Sequence, residues 1–411
     1  MPATPNPSFY GWRIVAVAAF IHFLHGGLLQ QAFGAYVAVL SEEFGWSRTS
    51  LAAGAAIQSM EAAILGPALG WLMDRVGART MVQTGIVLFG LGFIGLSQID
   101  TLGGFYAAAL VIALGSSLSG YFPLGVTVMH WFRLRRARAL SIMGMGLAGG
   151  GIMVPAVAWM MQTYGWRATA MTAGILAIVL GWPAARVIRR NPAEVGQTVD
   201  GLPPEAPRPG ATPAPADPHR HFTAREALRT RAFWTLSLGH AFALLVVTAV
   251  NVHAISHMKQ GLGYTVAQAS FVIGLMTASQ IAGLLAGAVV GDRWEKRKLA
   301  SGCMLAHMAG LLMLTFAVHP VFLVGFSLLH GFGWGLRGPL MQSMRADYFG
   351  LQAIGMIMGL SGFITAIGQV AGPLVAGALF DLTGDYRAGF ALLALLAGSG
   401  SLLFWLARKP R

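Results

Sequence analysis

Two charged residues stand inside otherwise apolar stretches of this sequence. Arg337 lies in LLHGFGWGLRGPLMQ (328–342), and Glu61 lies in AAIQSMEAAILGP (55–67). A charge within a bilayer is costly, and such residues usually face a polar interior and serve function. The planar guanidinium of Arg337 suits a carboxylate, which it can bind through two hydrogen bonds. A buried carboxylate can exchange a proton, so Glu61 is a candidate proton carrier.

Both residues also have structural interpretations. Arg337 could form an ion pair, for example with Glu61, or contact carbonyl groups at the Gly-Pro bend that follows it. Glu61 could remain neutral or paired and tie its helix to a neighbour. Because an intramembrane charge is a functional hypothesis by default, we favour substrate binding for Arg337 and leave both interpretations of Glu61 open.

Histidine and tryptophan side chains accompany these charges. His330 and Trp334 precede Arg337 by seven and three residues, so all three share one helical face. His25 lies near the middle of the first apolar segment, about 18 Å beyond Arg13 at helical rise. A neutral imidazole can donate to a substrate oxygen or titrate near physiological pH. Equally, each histidine could bond only a neighbouring carbonyl group.

The composition indicates which elements hold these residues. Of 411 residues, 55% are hydrophobic and 10% are charged, whereas a soluble protein carries roughly 25% charged residues. Lipid must therefore be the main solvent. Apolar segments of about 20 residues, long enough to cross a bilayer, predict twelve membrane helices. They are 12–39, 49–73, 79–98, 103–130, 138–163, 167–189, 232–258, 266–290, 299–317, 321–346, 352–380 and 387–408.

The distribution of basic residues predicts the orientation. With the N-terminus inside, cytoplasmic loops and tails hold 23 of the 28 lysines and arginines. This is the positive-inside pattern of a multi-pass inner-membrane protein with both termini cytoplasmic. The net charge of +13 thus reflects topology, and nucleic-acid binding is not expected. The first apolar segment lacks a basic start and a small-residue cleavage site, which favours a permanent span over a signal peptide.

The chain divides into two halves that resemble each other. Residues 191–218 hold eight of the nineteen prolines and predict an extended, mobile linker. The expected domains are an N-terminal six-helix bundle (1–190), a cytoplasmic linker with a short amphipathic helix (191–230) and a C-terminal six-helix bundle (231–411). The Asp-Arg pair at 74–75 recurs at 292–293, and Pro155 recurs as Pro373, both 218 residues later.

Such parallel repeats occur in secondary transporters, whose sites lie at the midplane between the halves. Further polar residues occupy equivalent positions in the two halves. Asn251 corresponds to Gln30 in the first segment, and Tyr121 corresponds approximately to Arg337. Paired amides suit a site between two halves, although amides also join packed helices. We therefore include Gln30, Tyr121 and Asn251 among the candidate binding residues.

A family resemblance follows from the loop motifs. GWLMDRVGART (70–80) resembles the motif G-x-x-x-D-R-x-G-x-R of the major facilitator superfamily. YGWR at 164–167 and RRNPAEVGQTVDG at 189–201 resemble its monocarboxylate-porter and oxalate–formate-exchanger branch. The resemblance implies an all-α fold of twelve transmembrane helices in two pseudo-symmetric halves, which gives substrate access to either side alternately.

The resemblance also implies a gating role for two loops. The first loop would latch the halves in the outward-open state, and its repeat would form a second, degenerate latch. The residues concerned are Asp74, Arg75, Arg79, Asp292, Arg293 and Arg297.

The sequence departs from the branch in one important place. Branch members typically carry an arginine, often with an acid, in span eight, but AQASFVIGLMTASQIAGLLAGAVVG (267–291) has no charge. Lysines that some members carry in spans one or eleven are absent too; His25 and Gln369 lie in those spans instead. Arg337, in span ten, could have taken over charge recognition, which weakens any assignment to lactate-type or oxalate substrates.

The predicted function is secondary active transport of a small organic anion, a mono- or other carboxylate, coupled to protons. The alternatives are a proton-driven multidrug efflux pump and, from another class, a non-transporting membrane receptor or sensor. No catalytic constellation stands at suitable spacing, so an enzyme is not expected, and neither is a cofactor. The single cysteine, Cys303, and the isolated histidines argue against a metal site. The expected partners are the anion, protons and lipid, and the expected state is a monomer.

Overall fold

The computed structural model describes residues 9–30, 32–203 and 221–410, and every regular element in these ranges is helical. The prediction of an all-α protein is therefore confirmed. The chain forms two compact units. The first comprises Met1–Phe222 and Gly350–Gly359, and the second comprises Thr223–Phe349 and Leu360–Arg411.

The first unit holds nine α-helices. They are α1 (Gly11–His25), α2 (Phe33–Phe44), α3 (Arg48–Val76), α4 (Ala78–Leu96), α5 (Leu102–Ser119), α6 (Tyr121–Trp131), α7 (Arg136–Gly149), α8 (Val154–Leu176) and α9 (Trp182–Ala185). A π-helical turn, Gly26–Gln30, follows α1, and a 3-10 turn, Gly150–Met153, connects α7 to α8. A second π-helical turn, Ala177–Gly181, connects α8 to α9.

The second unit holds seven α-helices, most of them long. They are α10 (Ala224–Leu228), α11 (Arg231–Leu262), α12 (Val266–Val290), α13 (Lys296–Thr315), α14 (Pro320–Phe349), α15 (Ile354–Thr383) and α16 (Arg387–Leu406). The first residues of α15 group with the first unit, because that unit includes Gly350–Gly359.

Twelve spans are accounted for within the described residues. Nine helical segments are long and apolar enough to cross a membrane. One of them, Arg136–Ala185, is 50 residues long and contains two spans, because Gly165 breaks α8 with a positive φ of 81°. The remaining two spans are α3 and α14, of 29 and 30 residues. These are the helices that carry Glu61 and Arg337.

The predicted linker differs from the observed structure in its first part. Residues 191–203 do not form an extended tether but fold onto the first unit through two 3-10 turns, Pro192–Val195 and Val199–Gly201. The carboxylate of Asp200 accepts hydrogen bonds from the backbone N–H groups of Arg133 and Leu134, at 3.1 and 2.9 Å. These contacts compensate for a composition that favours extended chain. The proline-rich remainder, 204–220, lies outside the described residues.

The short helix predicted at the end of the linker is present. Helix α10 begins with a capping box, in which Thr223 accepts from the backbone N–H of Glu226 and the Glu226 carboxylate accepts from the backbone N–H of Thr223. This reciprocal pairing satisfies two donors that a helix start otherwise leaves free.

Close approach of helix backbones depends on glycine at several positions, and one yields a test. A Cβ at Gly335 in α14 would collide with the carbonyl oxygen of Gln280 in α12. We expect Gly335→Ala to cost about 1–3 kcal/mol of stability through overpacking, measured as a lower thermal unfolding midpoint in detergent. The control is Gly274→Ala in α12, where an added Cβ meets nothing within 4 Å. Equal midpoints for both variants would contradict the packing explanation.

Candidate functional site

Glu61 is buried in the first unit and is held by a serine. Its side chain in α3 is 5% exposed, and its Oε2 accepts a hydrogen bond of 2.6 Å from the Ser117 hydroxyl in α5. Among the described residues, Oε1 has no hydrogen-bond partner. One oxygen of this carboxylate is thus oriented by Ser117, while the other is buried without a hydrogen bond among the described residues.

His25 lies against the same end of α5. Its Nε2 lies 3.2 Å from the Ser119 hydroxyl oxygen, and that hydroxyl donates its own proton to the Gly115 carbonyl at 2.6 Å. Because the hydroxyl proton is committed, Nε2–H of His25 must be the donor in the first of these bonds. The imidazole ring packs on Phe89, with ring centroids 4.4 Å apart. Its orientation is therefore fixed.

A break between two helices follows Ser117 and Ser119. Gly120, with φ −95° and ψ −143°, separates α5 from α6, and a Cβ there would lie 2.5 Å from the Ser116 carbonyl oxygen. Tyr121 begins α6 with its ring stacked on His22 at 5.5 Å between centroids, and it remains 39% exposed. Interrupted membrane helices recur at transporter binding sites, where they turn polar groups toward the site.

Three of the predicted residues therefore have contacts along residues 117–121: Glu61 accepts from Ser117, His25 donates to Ser119, and Tyr121 begins α6. Gln30 lies apart from them, at the end of the π-helical turn, where it lines a separate apolar cavity. Ser117 and Ser119 were missed by the sequence analysis. The available signal was the run SSLSG (116–120), in which hydroxyl residues precede a glycine inside an apolar span.

Arg337 is buried in the second unit, with 1% of its side chain exposed. It lies close enough to act electrostatically on His240, His307 and His330. His330 and His307 are fully buried, and their Nδ1 atoms lie 3.1 Å apart, so one ring donates and the other accepts. A buried guanidinium beside imidazole rings places a positive charge and N–H donors inside the unit, which suits an anion.

A second buried arginine lies two turns from the first. Arg345 in α14 is 3% exposed; it donates from Nη2 to His240 Nδ1 at 3.0 Å and from Nη1 to the Met341 carbonyl at 3.3 Å. Arg345 lies near the end of the predicted span 321–346 and was not among the predicted site residues. Because Arg345 is also a buried arginine on α14, its substitution provides a control for substitution of Arg337.

The other polar residues of the second unit have different surroundings. Asn251 is exposed on α11, and Trp334 is half-buried on α14. His253 and His257 lie within 3.0 Å of the carbonyl oxygens of Pro373 and Leu314. These two histidines therefore each bond a neighbouring carbonyl group, which was the structural alternative considered for the histidines.

In the described residues, no group of three histidine, cysteine or acidic side chains could hold a metal ion.

The first gating motif forms contacts within the first unit. The Asp74 carboxylate accepts a hydrogen bond of 3.3 Å from the backbone N–H of Met356, in the first turn of α15. A carboxylate there is favoured by the helix dipole and satisfies one of the free N–H groups of the helix start. Arg190 donates to the Asp74 carbonyl at 3.3 Å, whereas Arg75 lies over the Trp71 ring and Arg79 is exposed.

The repeat of this motif forms an ion-pair network inside the second unit. Lys296 lies 3.9 Å from Asp292 and 2.7 Å from Asp347. Arg297 pairs with Glu295 at 2.7 Å and donates to the Trp405 carbonyl at 3.0 Å. Hydrogen bonds from Lys298 and Arg297 hold the pKa of Glu295 below its ordinary value. Arg293 is exposed.

Arg167 of the YGWR motif at 164–167 binds the loop between α4 and α5. It donates to the carbonyl oxygens of Ser97 and Ile99, at 3.2 and 2.9 Å, and forms an ion pair of 2.8 Å with Asp100. The neighbouring Trp166 donates its indole N–H to Glu43. The motif thus joins the ends of three spans, which explains its conspicuous charge without a role in substrate binding.

Comparison with known proteins identifies a family. The family model described as Major Facilitator Superfamily matches residues 15–253 and 236–411. Human monocarboxylate transporter 11 is 28% identical over 421 residues, which cover 98% of this chain and 84% of the relative. The relative named "Probable L-galactonate transporter", from Escherichia coli (strain K12), is 25% identical over 401 residues, covering 90% of this chain and 84% of the relative.

Solved structures show the same fold. The crystal structure of the human organic anion transporter MFSD10 aligns with 97% of this chain and 100% of that chain, with a TM-score of 0.69 and 15% sequence identity. At this identity the likeness concerns the fold alone.

Proposed function

This chain belongs to the major facilitator superfamily and is a multi-pass membrane transporter, and from that premise we propose that it moves a small organic anion, a carboxylate, together with protons. Transport proceeds by alternating access of one site to the two sides of the membrane. The protein acts as a monomer in the inner membrane, with both termini in the cytoplasm.

The observation that carries the anion proposal is the burial of Arg337. A guanidinium that is 1% exposed within a membrane span, close to several histidines, is costly unless it serves a negative partner or a fixed polar contact. A carboxylate matches its fork of N–H donors with two parallel hydrogen bonds. Trp334 and His330, on the same helix, orient the rest of the substrate.

The relatives support the same substrate class. The names of the human and bacterial relatives, a monocarboxylate transporter and an L-galactonate transporter, both specify carboxylates. Arg337 would replace the charge that span eight lacks, so the substrate differs from those of branch members that use an arginine there.

Glu61 is the proposed proton carrier. Its orientation by Ser117 leaves Oε1 without a hydrogen-bond partner among the described residues, which suits a carboxylate that must gain and lose a proton. One proton moved with one carboxylate makes the cycle electroneutral, so the membrane potential does not oppose uptake of the anion. The Asp74 loop and its repeat at Asp292 would gate this cycle through their cytoplasmic contacts.

The proposal is tested by ligand-dependent stability. A ligand that binds the folded state raises the apparent unfolding temperature by mass action. We expect a subset of mono- and hydroxycarboxylates to raise the midpoint of purified protein in a saturable manner, while lipophilic cations do not. Proteoliposomes should then accumulate the stabilising acid when the outside is acidified. Stabilisation by cations and not by any carboxylate would overturn the proposal in favour of drug efflux.

Binding without flux would favour the receptor alternative. The decisive measurement is counterflow of the radiolabelled acid that stabilises the protein, in proteoliposomes with no ion gradient. Exchange above that of protein-free liposomes is expected for a transporter, and its absence in folded, ligand-binding protein would contradict transport of that acid.

A further inference from the structure

An exposed groove runs between α13 and α14 of the second unit. It has a volume of about 520 Å³. One face of α13 lines it, because the lining positions are spaced by three or four residues. They are Leu299, Gly302, Cys303 and Ala306. The side formed by α14 consists of Phe332, Gly333 and Leu336. In a membrane protein, an exposed groove with such apolar walls is suited to a lipid chain.

Two glycines shape this groove. At Gly333 the helix backbones approach closely, since a Cβ there would lie 3.0 Å from the Cys303 carbonyl oxygen. Gly302 is exposed, and a Cβ there would meet nothing within 4 Å. A side chain added at Gly302 can therefore enter the groove without disturbing the contact between the helices, which makes this position useful for a test.

Charged and aromatic residues surround one end of the groove, its mouth. Trp294 and Glu295 precede α13, and Lys298 lies in its first turn. All three are exposed. The Glu295 carboxylate lies 3.0 Å from the Lys298 ammonium. Tryptophan and lysine are typical of the boundary between the hydrocarbon core and water. The mouth therefore lies at the level of the lipid headgroups, and the apolar walls lie deeper in the bilayer.

The length of the groove matches one leaflet of a bilayer. Lys298 and Ala306 are eight residues apart, which corresponds to about 12 Å along a helix. Half of the hydrocarbon core is about 15 Å thick. An acyl chain that extends inward from the mouth would thus lie along the groove through most of its leaflet.

The charges at the mouth restrict the headgroup of such a lipid. The Lys298 ammonium has three N–H donors, so it can donate to a phosphate as well as to Glu295. The Glu295 carboxylate has about four acceptor positions, and it pairs with Lys298 and Arg297 at 3.0 and 2.7 Å. A headgroup ammonium can use a further position. Phosphate beside a primary ammonium therefore complements this acid–base pair. A glycerol headgroup offers no cation to Glu295, and a choline headgroup offers no N–H donor.

We propose that this groove is a binding site for a phospholipid with a phosphoethanolamine headgroup. One acyl chain lies between α13 and α14 against Phe332 and Leu336. The phosphate pairs with Lys298 and the ammonium pairs with Glu295, beside the indole of Trp294. The bound lipid joins the two helices near one membrane boundary. The site does not depend on the proposed carboxylate transport, because it uses none of the residues proposed to bind the carboxylate or carry the proton.

Native mass spectrometry of the purified protein in detergent counts bound lipids and tests the headgroup. The probes are dioleoyl phosphatidylethanolamine, phosphatidylglycerol and phosphatidylcholine, which share their acyl chains. We expect wild-type protein to bind phosphatidylethanolamine about two- to fivefold more tightly than the other two lipids, as one exposed ion pair provides. Glu295→Gln should remove the preference over phosphatidylglycerol. Lys298→Gln should weaken the binding of all three lipids, because each carries a phosphate.

Two matched controls separate the groove from the rest of the lipid-facing surface. Gly302→Phe fills the groove and should abolish selective lipid binding, whereas Ala309→Phe adds the same ring at an exposed position of α13 outside the groove and should retain it. Arg293→Gln removes an exposed basic residue that does not line the groove. This variant should keep the wild-type affinities for all three lipids.

Two outcomes would overturn the proposal. One is that wild-type protein binds phosphatidylethanolamine no more tightly than the other two lipids, as expected of an unselective lipid layer or of a site for anionic lipid. The other is the same selective binding in wild type and Gly302→Phe, which would place the lipid elsewhere. If Gly302→Phe does not fold, an unchanged headgroup preference in Glu295→Gln contradicts the proposal by itself.

Discussion

Replacing Arg337 with glutamine is expected to weaken binding of the transported carboxylate by about 30-fold or more, because removing one partner of a buried charged pair costs about 2–5 kcal/mol. Glutamine retains hydrogen-bonding atoms and some of the volume but has no charge. The loss should appear as a matching loss of ligand-induced thermal stabilisation and as uptake near the level of protein-free liposomes.

Arg345→Gln is the matched control for this result. Both arginines lie on α14, both are nearly fully buried, and both lie close to His240. Arg345 has an observed role, since it bonds His240 and the Met341 carbonyl. Its replacement should lower the unfolding midpoint without removing carboxylate-induced stabilisation. If both variants keep that stabilisation, Arg337 is structural and the anion site must lie elsewhere.

Arg337→Lys extends the test to geometry. Lysine keeps the positive charge but presents a compact ammonium group and not a planar fork. If recognition is bidentate, the lysine variant should bind the carboxylate with an affinity between those of wild type and Arg337→Gln. Wild-type affinity in the lysine variant would show that charge alone suffices.

The parts of the site that the sequence predicted are those with a strong local signal. Arg337 and Glu61 were found because a charge among apolar residues is costly and therefore rare. Their surroundings could not be found in the same way. Ser117, His307 and Arg345 belong to residue types that membrane helices commonly carry as packing contacts or at their ends. Their importance depends on which helix packs opposite, and that information is tertiary.

For the first part of the linker, residues 191–203, the composition predicted less order than the structure has. Prolines at 192 and 203 favour extended chain, yet the segment between them is folded. Its order depends on Asp200, whose carboxylate binds two backbone N–H groups that follow α6, and on Gln197, which accepts from the Tyr10 backbone at 2.9 Å. Contacts with partners more than 60 residues away leave no trace in local composition.

Glu61→Gln is expected to separate substrate movement from proton coupling. Glutamine has the same shape, and its carbonyl oxygen can still accept from Ser117, but it cannot carry a proton. Acidifying the outside should therefore no longer drive accumulation of the carboxylate in proteoliposomes. Counterflow, which needs binding and alternating access but no net proton movement, should persist. Parallel assays of both activities on one preparation provide the measurement.

Ser117→Ala distinguishes coupling from a purely structural role of Glu61. This variant removes the hydrogen bond of 2.6 Å but keeps the carboxylate, so a proton carrier would still drive accumulation. If Glu61 only joins α3 to α5, both variants should retain proton-driven uptake and differ from wild type only in stability. That outcome would assign coupling to another titratable group, for which His25 is the first candidate, because it lies against the same end of α5 through Ser119.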